Sequence, residues 1–580
     1  MCGIAGIWGP AGPAEAEAAL ARLLPALALR GPDGRGVHLH AQGAFGHTRL
    51  AIVDVAHGAQ PLYNEDGRVG VVYNGEIYNY RELRQELQAQ GHQFRTNSDT
   101  EVIVHLFEQE GEAAFARLTG MFALALWTDD AAYLVRDPVG VKPLYYYQDA
   151  TRLIFASQLS ALLALGRGPA ALPDLDFGLD PGGLAQYLAF RYCPAGETVY
   201  GRIKKLPPGH FLKIGPGAGP VRYADILGQA ADIPPGEELA ALEATLSEVV
   251  ASQLMGEAPL GLTLSGGLDS STLAWFLARA GARPETFNIG FPGVNEFAYS
   301  SEVARQAGLN HTLVRLDASE VPGLLPAYIQ AIDEPLADAA CLPLYCLGQA
   351  MREKVTVVFS GEGGDEVFGG YPQYARTLAA HHEAGPAAFR FFLDHSQYFL
   401  DRDGWLVEPP APGPARAAAF RGSLLSAMTD YDLATWVPEN LMMKADKILM
   451  AHSLEGRFPL LDPRVIAVAR GLADRDKIGP DGEGKLILKR LMAGRLPAGV
   501  LTRPKMGFSV PLDELLAANR DLCLDLLATA SPLDAVLRRE ELRARALAFY
   551  AGEVVSPLLV WTVFVLYYWM RQNHPTAGAR

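Results

Sequence analysis

One stretch, LTLSGGLDSS, constrains the fold more than any other. Leu260–Leu264 is a short apolar run that fits a buried strand. The glycines after it fit a turn, and a helical pattern then runs from Ser271 to Ala280. The same alternation surrounds it. A helical pattern at Glu237–Leu254 precedes it; the strand TFNIGF, a helix at Ser300–Ala307 and the strand VTVVFSG follow. Alternating β and α elements specify a parallel sheet with helices on both faces. Beyond about Ala380 the pattern becomes mostly helical.

In the turn, Ser265, Gly266, Gly267, Ser270 and Ser271 can aim backbone N–H groups and hydroxyls at an anion at the helix N-terminus. The GxxxxGK[ST] pattern is absent and no lysine follows, so this is not a Walker A loop. A tight βα turn without a ligand is the plain alternative. The small and polar residues crowded around Asp269 weigh against it. A second glycine-rich loop, SGEGGDEVFGGY, follows VTVVF and carries Glu362, Asp365 and Glu366. It should reach the same sheet edge, where ligands of such sheets bind. On its own it would read as an acidic surface loop.

The first 215 residues read differently, as short strands with helical patterns at Ala14–Leu29 and Tyr80–Gln90. Residues 216–236 are rich in Gly and Pro and lack periodicity, so the expected division is a domain over 1–215, a linker over 216–236 and a domain over 237–575. A chain of 580 residues exceeds a single ordinary core. The first domain opens MCGIAGIWG. With Met1 removed, Cys2 carries a thiol and a free α-amine that can serve as its base. Arg49 in RLAIVD offers a fork for a carboxylate. Asn74 and Gly75 in YNGEIYN offer a side-chain amide and a backbone N–H to an oxyanion. Asp99 in NSDTEV can accept from an amine. Singly, each has a bland reading: a buried small thiol, a solvent-facing arginine, an Asn-Gly hairpin turn. Together in one domain they point to a nucleophile with its substrate anchors.

Composition sets limits. A net charge of −15 argues against nucleic acid and anionic membranes as partners. The cysteines at 2, 193, 341, 346 and 523 form no disulfide framework or zinc spacing, which favours a reducing, cytoplasmic setting. Glu15 and Glu17 interrupt any signal-peptide pattern. The run LLVWTVFVLYYWM is too short to span a bilayer and reads as a buried helix.

SGGLDSS resembles the pyrophosphate loop of the ATP pyrophosphatases. MCGIAG, RGPDG, RLAIVD, NGEIYN and SDTEV resemble the glutaminase domain of class II glutamine amidotransferases. With TFNIGF, DEPLAD, SGEGGDEVFGGY, SLEGRFPLLD and RPKMGF added in order, nearly the whole chain resembles the glutamine-hydrolysing asparagine synthetases. The resemblance implies an α+β N-terminal-nucleophile hydrolase sandwich, followed by an α/β parallel-sheet ATP-pyrophosphatase domain with a helical C-terminal part. It implies that Cys2 attacks the glutamine amide. Arg49 would hold the glutamine carboxylate, Asp99 and Glu76 its amine, and Asn74 with Gly75 the oxyanion. Leu50, Ala51, Ile52 and Val53 would line the pocket. In the second domain it implies that Leu264 and Ile289 contact adenosine and that Ser360 and Gly361 close over the nucleotide. Asp269 and Asp365 would be Mg²⁺ ligands. Glu362 would serve the acyl-adenylate chemistry, and Lys485 and Lys505 would steady phosphates. Ammonia would pass between the centres through an apolar tunnel at the domain interface. The implied partners are glutamine, aspartate and ATP, with a homodimer left open.

The chain departs from the family pattern at Leu29, Gln158, Gln253 and Glu257. None of these is a catalytic group, but they bear on domain communication and on the acceptor pocket. The second reading is therefore an amidotransferase of the same architecture acting on another carboxylate, such as a cell-envelope or secondary-metabolite precursor. A β-lactam-synthetase-like cyclase is disfavoured, because that group tends to lose the cysteine and to carry Tyr where Glu362 stands. A non-catalytic glutamine-binding protein would predict decay of Cys2, Arg49 or the phosphate loop, and all are intact.

Overall fold

The structure, a computed structural model, describes residues 2–9, 12–167, 172, 174–215, 217–381, 385–396, 405–407, 422–503 and 510–574. The first half forms twelve strands: β1 (Cys2–Trp8), β2 (Gly34–His40), β3 (Gly43–Arg49), β4 (Leu62–Tyr63), β5 (Gly70–Ile77), β6 (Gly120–Trp127), β7 (Ala132–Arg136), β8 (Tyr145–Gln148), β9 (Leu153–Ala156), β10 (Ile203–Lys205), β11 (His210–Lys213) and β12 (Val221–Arg222). They make two six-stranded antiparallel sheets, ordered β10-β8-β9-β1-β3-β2 and β12-β11-β7-β6-β5-β4.

The pleat explains the layering. In β1, Ile4 and Trp8 point to one face and pack with Phe45, Val72, Ala123, Ala125 and Leu134 of both sheets. Ala5 and Ile7 point to the other and meet Leu20, Leu23 and Leu24 of helix Pro13–Ala26. The outer face of the second sheet is covered by helices Tyr80–Ala89 and Glu101–Glu110 through Leu83, Leu87, Ile103 and Leu106. The result is a four-layer helix–sheet–sheet–helix sandwich. Asn74-Gly75 makes no hairpin turn, because β5 runs unbroken through both residues and pairs with β6 along its whole length.

The second half builds a five-stranded parallel sheet from β13 (Leu260–Thr263), β14 (Glu285–Gly290), β15 (His311–Arg315), β16 (Val357–Phe359) and β17 (Glu455–Arg457). Its order is β15-β14-β13-β16-β17. The chain winds outward from β13 in both directions, so the switch point lies between β13 and β16. Both glycine-rich loops leave the sheet there. β17 was not legible from pattern: EGR has no strand signature and is drawn in as the sheet's edge. Between the halves, Val221–Arg222 completes the second sheet's edge and the Ala231 N–H donates to the Ala467 carbonyl.

The apolar C-terminal run forms helix Pro557–Asn573, with Trp561 and Trp569 fully buried. It is a wedge between the halves: Tyr187 of the first donates to its Thr562 carbonyl at 2.9 Å. Among the described residues, no helix is long and apolar enough to cross a membrane.

The seam between the halves is part apolar and part charged. Leu50, Ile52, Met121, Val139 and Val141 do pack into one cluster with Leu441, Met442 and Ala445. Beside them, however, run buried ion pairs. Asp446 lies 2.8 Å from Arg30 and 3.5 Å from Lys142, all three fully enclosed. Lys205 reaches Glu439 at 2.6 Å and Glu334 at 3.4 Å, and Lys447 reaches Glu334 at 2.9 Å. Asp333 accepts from the Leu159 and Ser160 amides at 2.8 and 2.9 Å, so a second-half carboxylate caps the helix after Gln158. Removing one partner of such a pair strands a buried charge. Asp446→Ala is expected to cost about 3–5 kcal/mol, read as a lower denaturation midpoint at unchanged slope; a change below about 1 kcal/mol would show the seam to be hydrated.

Candidate active sites

The first site forms where β1 begins. Cys2 pairs with Arg49 across β1 and β3. Its N–H donates to Asn74 Oδ1 at 2.9 Å, and its carbonyl accepts from Arg30 Nε at 3.0 Å. Asn74 therefore has its oxygen engaged, while its side-chain nitrogen is buried with no acceptor. A buried donor without a partner costs about 1–3 kcal/mol, and one aimed beside a thiol is the donor an oxyanion needs. Gly75 follows where β6 approaches so closely that a Cβ would lie 2.1 Å from the Met121 carbonyl. Burial pushes the Cys2 thiol up, opposed by the Leu50 amide and the Arg49 charge. The sulfur thus rests as a thiol and needs a base.

The anchors surround it. Asp99 Oδ2 accepts from Tyr73 Oη and from the Ile77 N–H, both at 2.9 Å. Burial raises this carboxyl, with the Ile77 and Tyr73 donors pulling the other way. Arg49 turns its guanidinium to the carbonyls of Val53, Asp54 and Val55 at 3.3, 2.8 and 2.9 Å. Leu50 and Ile52 are buried, Ala51 and Val53 half-buried, and the Ala51 N–H donates to Asp33 at 2.9 Å. Glu76 points into the seam: Oε1 lies 3.7 Å from Arg457 of β17, and burial drives its carboxyl well above the usual range. Arg30, quoted in RGPDG but given no role, ties the Cys2 carbonyl to Asp446 of the other half. Asn74→Ala is expected to lower glutamine hydrolysis by about 10²–10³-fold, the usual effect of one oxyanion donor; glutamate release measures it, and a fall below about 10-fold would remove Asn74 from that role.

The second site is a cleft of ≈ 840 Å³ at the switch point of the parallel sheet. This is the size range of small-ligand sites. Ser265, Gly267, Asp269 and Ser270 line it from one loop; Ser360, Gly361, Glu362 and Asp365 line it from the other, together with Leu264 and Lys485. The helix after the first loop begins at Leu268, three residues earlier than its pattern indicated. Gly267 takes the cap, its N–H donating to Ser265 Oγ at 3.1 Å, and Ser270 Oγ lies 3.1 Å from Ser265 Oγ. This early start turns Ser271 into the core, with its hydroxyl buried. Gly266 backs against Tyr299 and Ser300, and Ile289 is buried in the hydrophobic core. These three do not line the cleft. Lys505 lies outside the described residues.

Two carboxylates converge on one ammonium. Lys485 Nζ is 2.5 Å from Asp269 and 2.7 Å from Asp365. Burial alone would lower its pKa, but the two carboxylates outweigh that and hold it above its ordinary value. Lys485 is in the left-handed region at φ 58°, at the start of helix Leu486–Met492. Gly370 permits the cluster, because a Cβ there would lie 2.1 Å from both Asp365 and Lys485. Glu362 meets Lys444 at 3.1 Å, and Lys444 also faces Asp338 at 3.8 Å. Sequence reading missed Lys444. It sits in MMKADKILM, helix Met442–Met450, whose one signal was three charges within an apolar run. Glu366 is bound up elsewhere, accepting from Tyr371 at 2.6 Å and Trp436 at 3.1 Å.

Fold and sites together define a two-centre protein: an N-terminal-nucleophile amidotransferase sandwich joined to a parallel-sheet domain of the ATP-pyrophosphatase kind. Comparison with known proteins agrees. A glutamine amidotransferase domain model matches residues 1–222, and an asparagine synthase model matches residues 241–571. Asparagine synthetase [glutamine-hydrolyzing] 1 of Bacillus subtilis is 30% identical, over 99% of this chain and 97% of its own. A putative asparagine synthetase of Mycobacterium bovis is 34% identical over 90% and 89%. Asparagine synthetase B of Escherichia coli is 29% identical over 83% and 76%. The chain belongs to the asparagine synthase family.

Proposed function

We propose that this enzyme makes asparagine from aspartate, with glutamine as amido donor and ATP as the activating substrate. The observation that supports it most is that one chain carries both centres: Cys2 beside an unpartnered amide donor, and a cleft where two carboxylates and a lysine meet the serine-rich loop. The working division is a glutaminase over 1–215, a connector over 216–236 and a synthetase over 237–575.

In the first centre, the α-amine freed by loss of Met1 takes the thiol proton, and the thiolate attacks the glutamine amide carbon. Arg49 and Asp99 hold the two charged ends of the substrate. Asn74 Nδ2 and the Gly75 N–H stabilise the oxyanion, ammonia leaves, and water clears the thioester. In the second centre, the aspartate side-chain carboxylate attacks the α-phosphorus of ATP, giving β-aspartyl-AMP and pyrophosphate. Lys485 offsets the charge that builds as they separate. Ammonia then attacks the acyl carbon, with Glu362 placed to take its proton and AMP as leaving group. Asp269 and Asp365 are hard oxygen donors already gathered around a cation, a set that fits Mg²⁺; when bound, it would spread phosphate charge there.

The test is pyrophosphate release from purified protein with Mg–ATP and ammonium, with aspartate, glutamate or no acceptor. Release with aspartate alone, and asparagine formed, is the expected result. No release with aspartate from folded protein would overturn the choice of acceptor.

A further inference from the structure

Away from both centres, the first domain gathers two histidines and three carboxylates around helix Glu101–Glu110. We propose that Glu65, His92, His105 and Glu108 form a structural Zn²⁺ site. It would tie the β4–β5 hairpin and the segment after helix Tyr80–Ala89 to helix Glu101–Glu110. One ligand atom from each of the four lies within 4.8 Å of the others.

The geometry around His105 carries the argument. The ring is wholly buried, and neither nitrogen has a hydrogen-bond partner. Nε2 faces Glu101 Oε1 at 3.6 Å. Glu101 is itself fixed as a carboxylate, accepting from the Arg95 and Thr96 N–H groups at 2.7 Å each and from the Thr96 hydroxyl at 2.6 Å. Nδ1 lies only 3.1 Å from Glu65 Oε2, and that oxygen too is buried without a hydrogen-bond partner. Two buried, unbonded ligand atoms side by side are what a shared cation would satisfy. On the other side of Glu65, His92 Nδ1 lies 3.3 Å from Oε1 and 3.8 Å from Glu108 Oε2.

These spacings suit zinc. Tetrahedral bonds of about 2.0–2.1 Å give ligand–ligand edges of about 3.3 Å, and mixed His and carboxylate donors are its usual set. An outer carboxylate on the far nitrogen of a ligating histidine, as Glu101 stands, is the common way to fix its tautomer and direction. Glu108 is exposed and Glu65 half-buried, which leaves an entry path. The helix bearing His105 starts two residues after Asp99, so the ion would brace the segment that presents Asp99 to the first centre.

The rival is a clasp of imidazolium–carboxylate pairs without metal. Chelator-stripped full-length protein, free of nucleotide, is titrated with Zn²⁺ by calorimetry and with Co²⁺ by visible absorption. One ion per chain is expected, with the intense cobalt bands of four-coordination and a raised melting temperature. His92→Ala and Glu108→Gln, both near the surface, should each weaken binding at least about 10-fold, and Glu101→Gln by about 10–100-fold. His105 is too enclosed to carry the test alone. Binding of equal strength in His92→Ala and Glu108→Gln, or no binding in the parent chain, would overturn the site in favour of the metal-free clasp. Neither result bears on pyrophosphate release, so this site and the proposed reaction fail separately.

Discussion

Cys2→Ala is expected to abolish glutamine-dependent asparagine formation, by about 10⁴-fold or more, and to leave ammonia-dependent formation close to the parent rate. A nucleophile that forms the covalent intermediate has no partial substitute, so its loss removes that route entirely. The second reaction survives because it is built on another sheet. Cys2 stands at the start of β1, while the cleft lies at the β13–β16 switch point. The substitution removes one sulfur from a buried position and leaves the Cys2 N–H bond to Asn74 in place. Asparagine formed with glutamine or with ammonium chloride, at equal protein, gives the two rates. Loss of both from folded protein would mean that the centres do not work independently. Retention of the glutamine route would remove Cys2 from the mechanism.

Lys485→Met should have the opposite pattern. Pyrophosphate release with either nitrogen source is expected to fall by about 10³-fold, while glutamine hydrolysis continues. Lys485 is the cation on which Asp269 and Asp365 converge, at 2.5 and 2.7 Å. Without it the two carboxylates face each other in a buried pocket, and the charge of the departing pyrophosphate loses its counter-ion. Glutamine hydrolysis serves as the control for folding, because its residues lie in the other half. Arginine should not rescue activity: Gly370 packs against Lys485 so tightly that a planar guanidinium has no room. A fall below about 10-fold would assign Lys485 to holding the loops rather than to the reaction.

The chemistry of both centres was legible because it is local. SGGLDSS states its own strand, turn and helix start, and only the helix's first turn was placed late. MCGIAG names a nucleophile and NGE its donors, each within a few residues, and the two sheets bring them together, with the Cys2 N–H on Asn74 Oδ1 at 2.9 Å. What the fold adds at these sites is where a side chain points. Ser271 is buried on a helix that begins at Leu268, and Glu76 lies 3.7 Å from Arg457 of β17.

By itself the sequence determined the two kinds of half, their order, and the residues able to do covalent and phosphate chemistry. Strand period, glycine turns and reactive side chains are properties of short stretches, set by backbone sterics and side-chain chemistry. Only the tertiary structure decided which charges meet: Glu362 with Lys444, Lys485 with Asp269 and Asp365, Asp446 with Arg30 and Lys142. Buried ion pairs join residues far apart in the chain, and their partners are chosen by how sheets and helices pack, since a charge leaves water only where packing supplies its counter-charge.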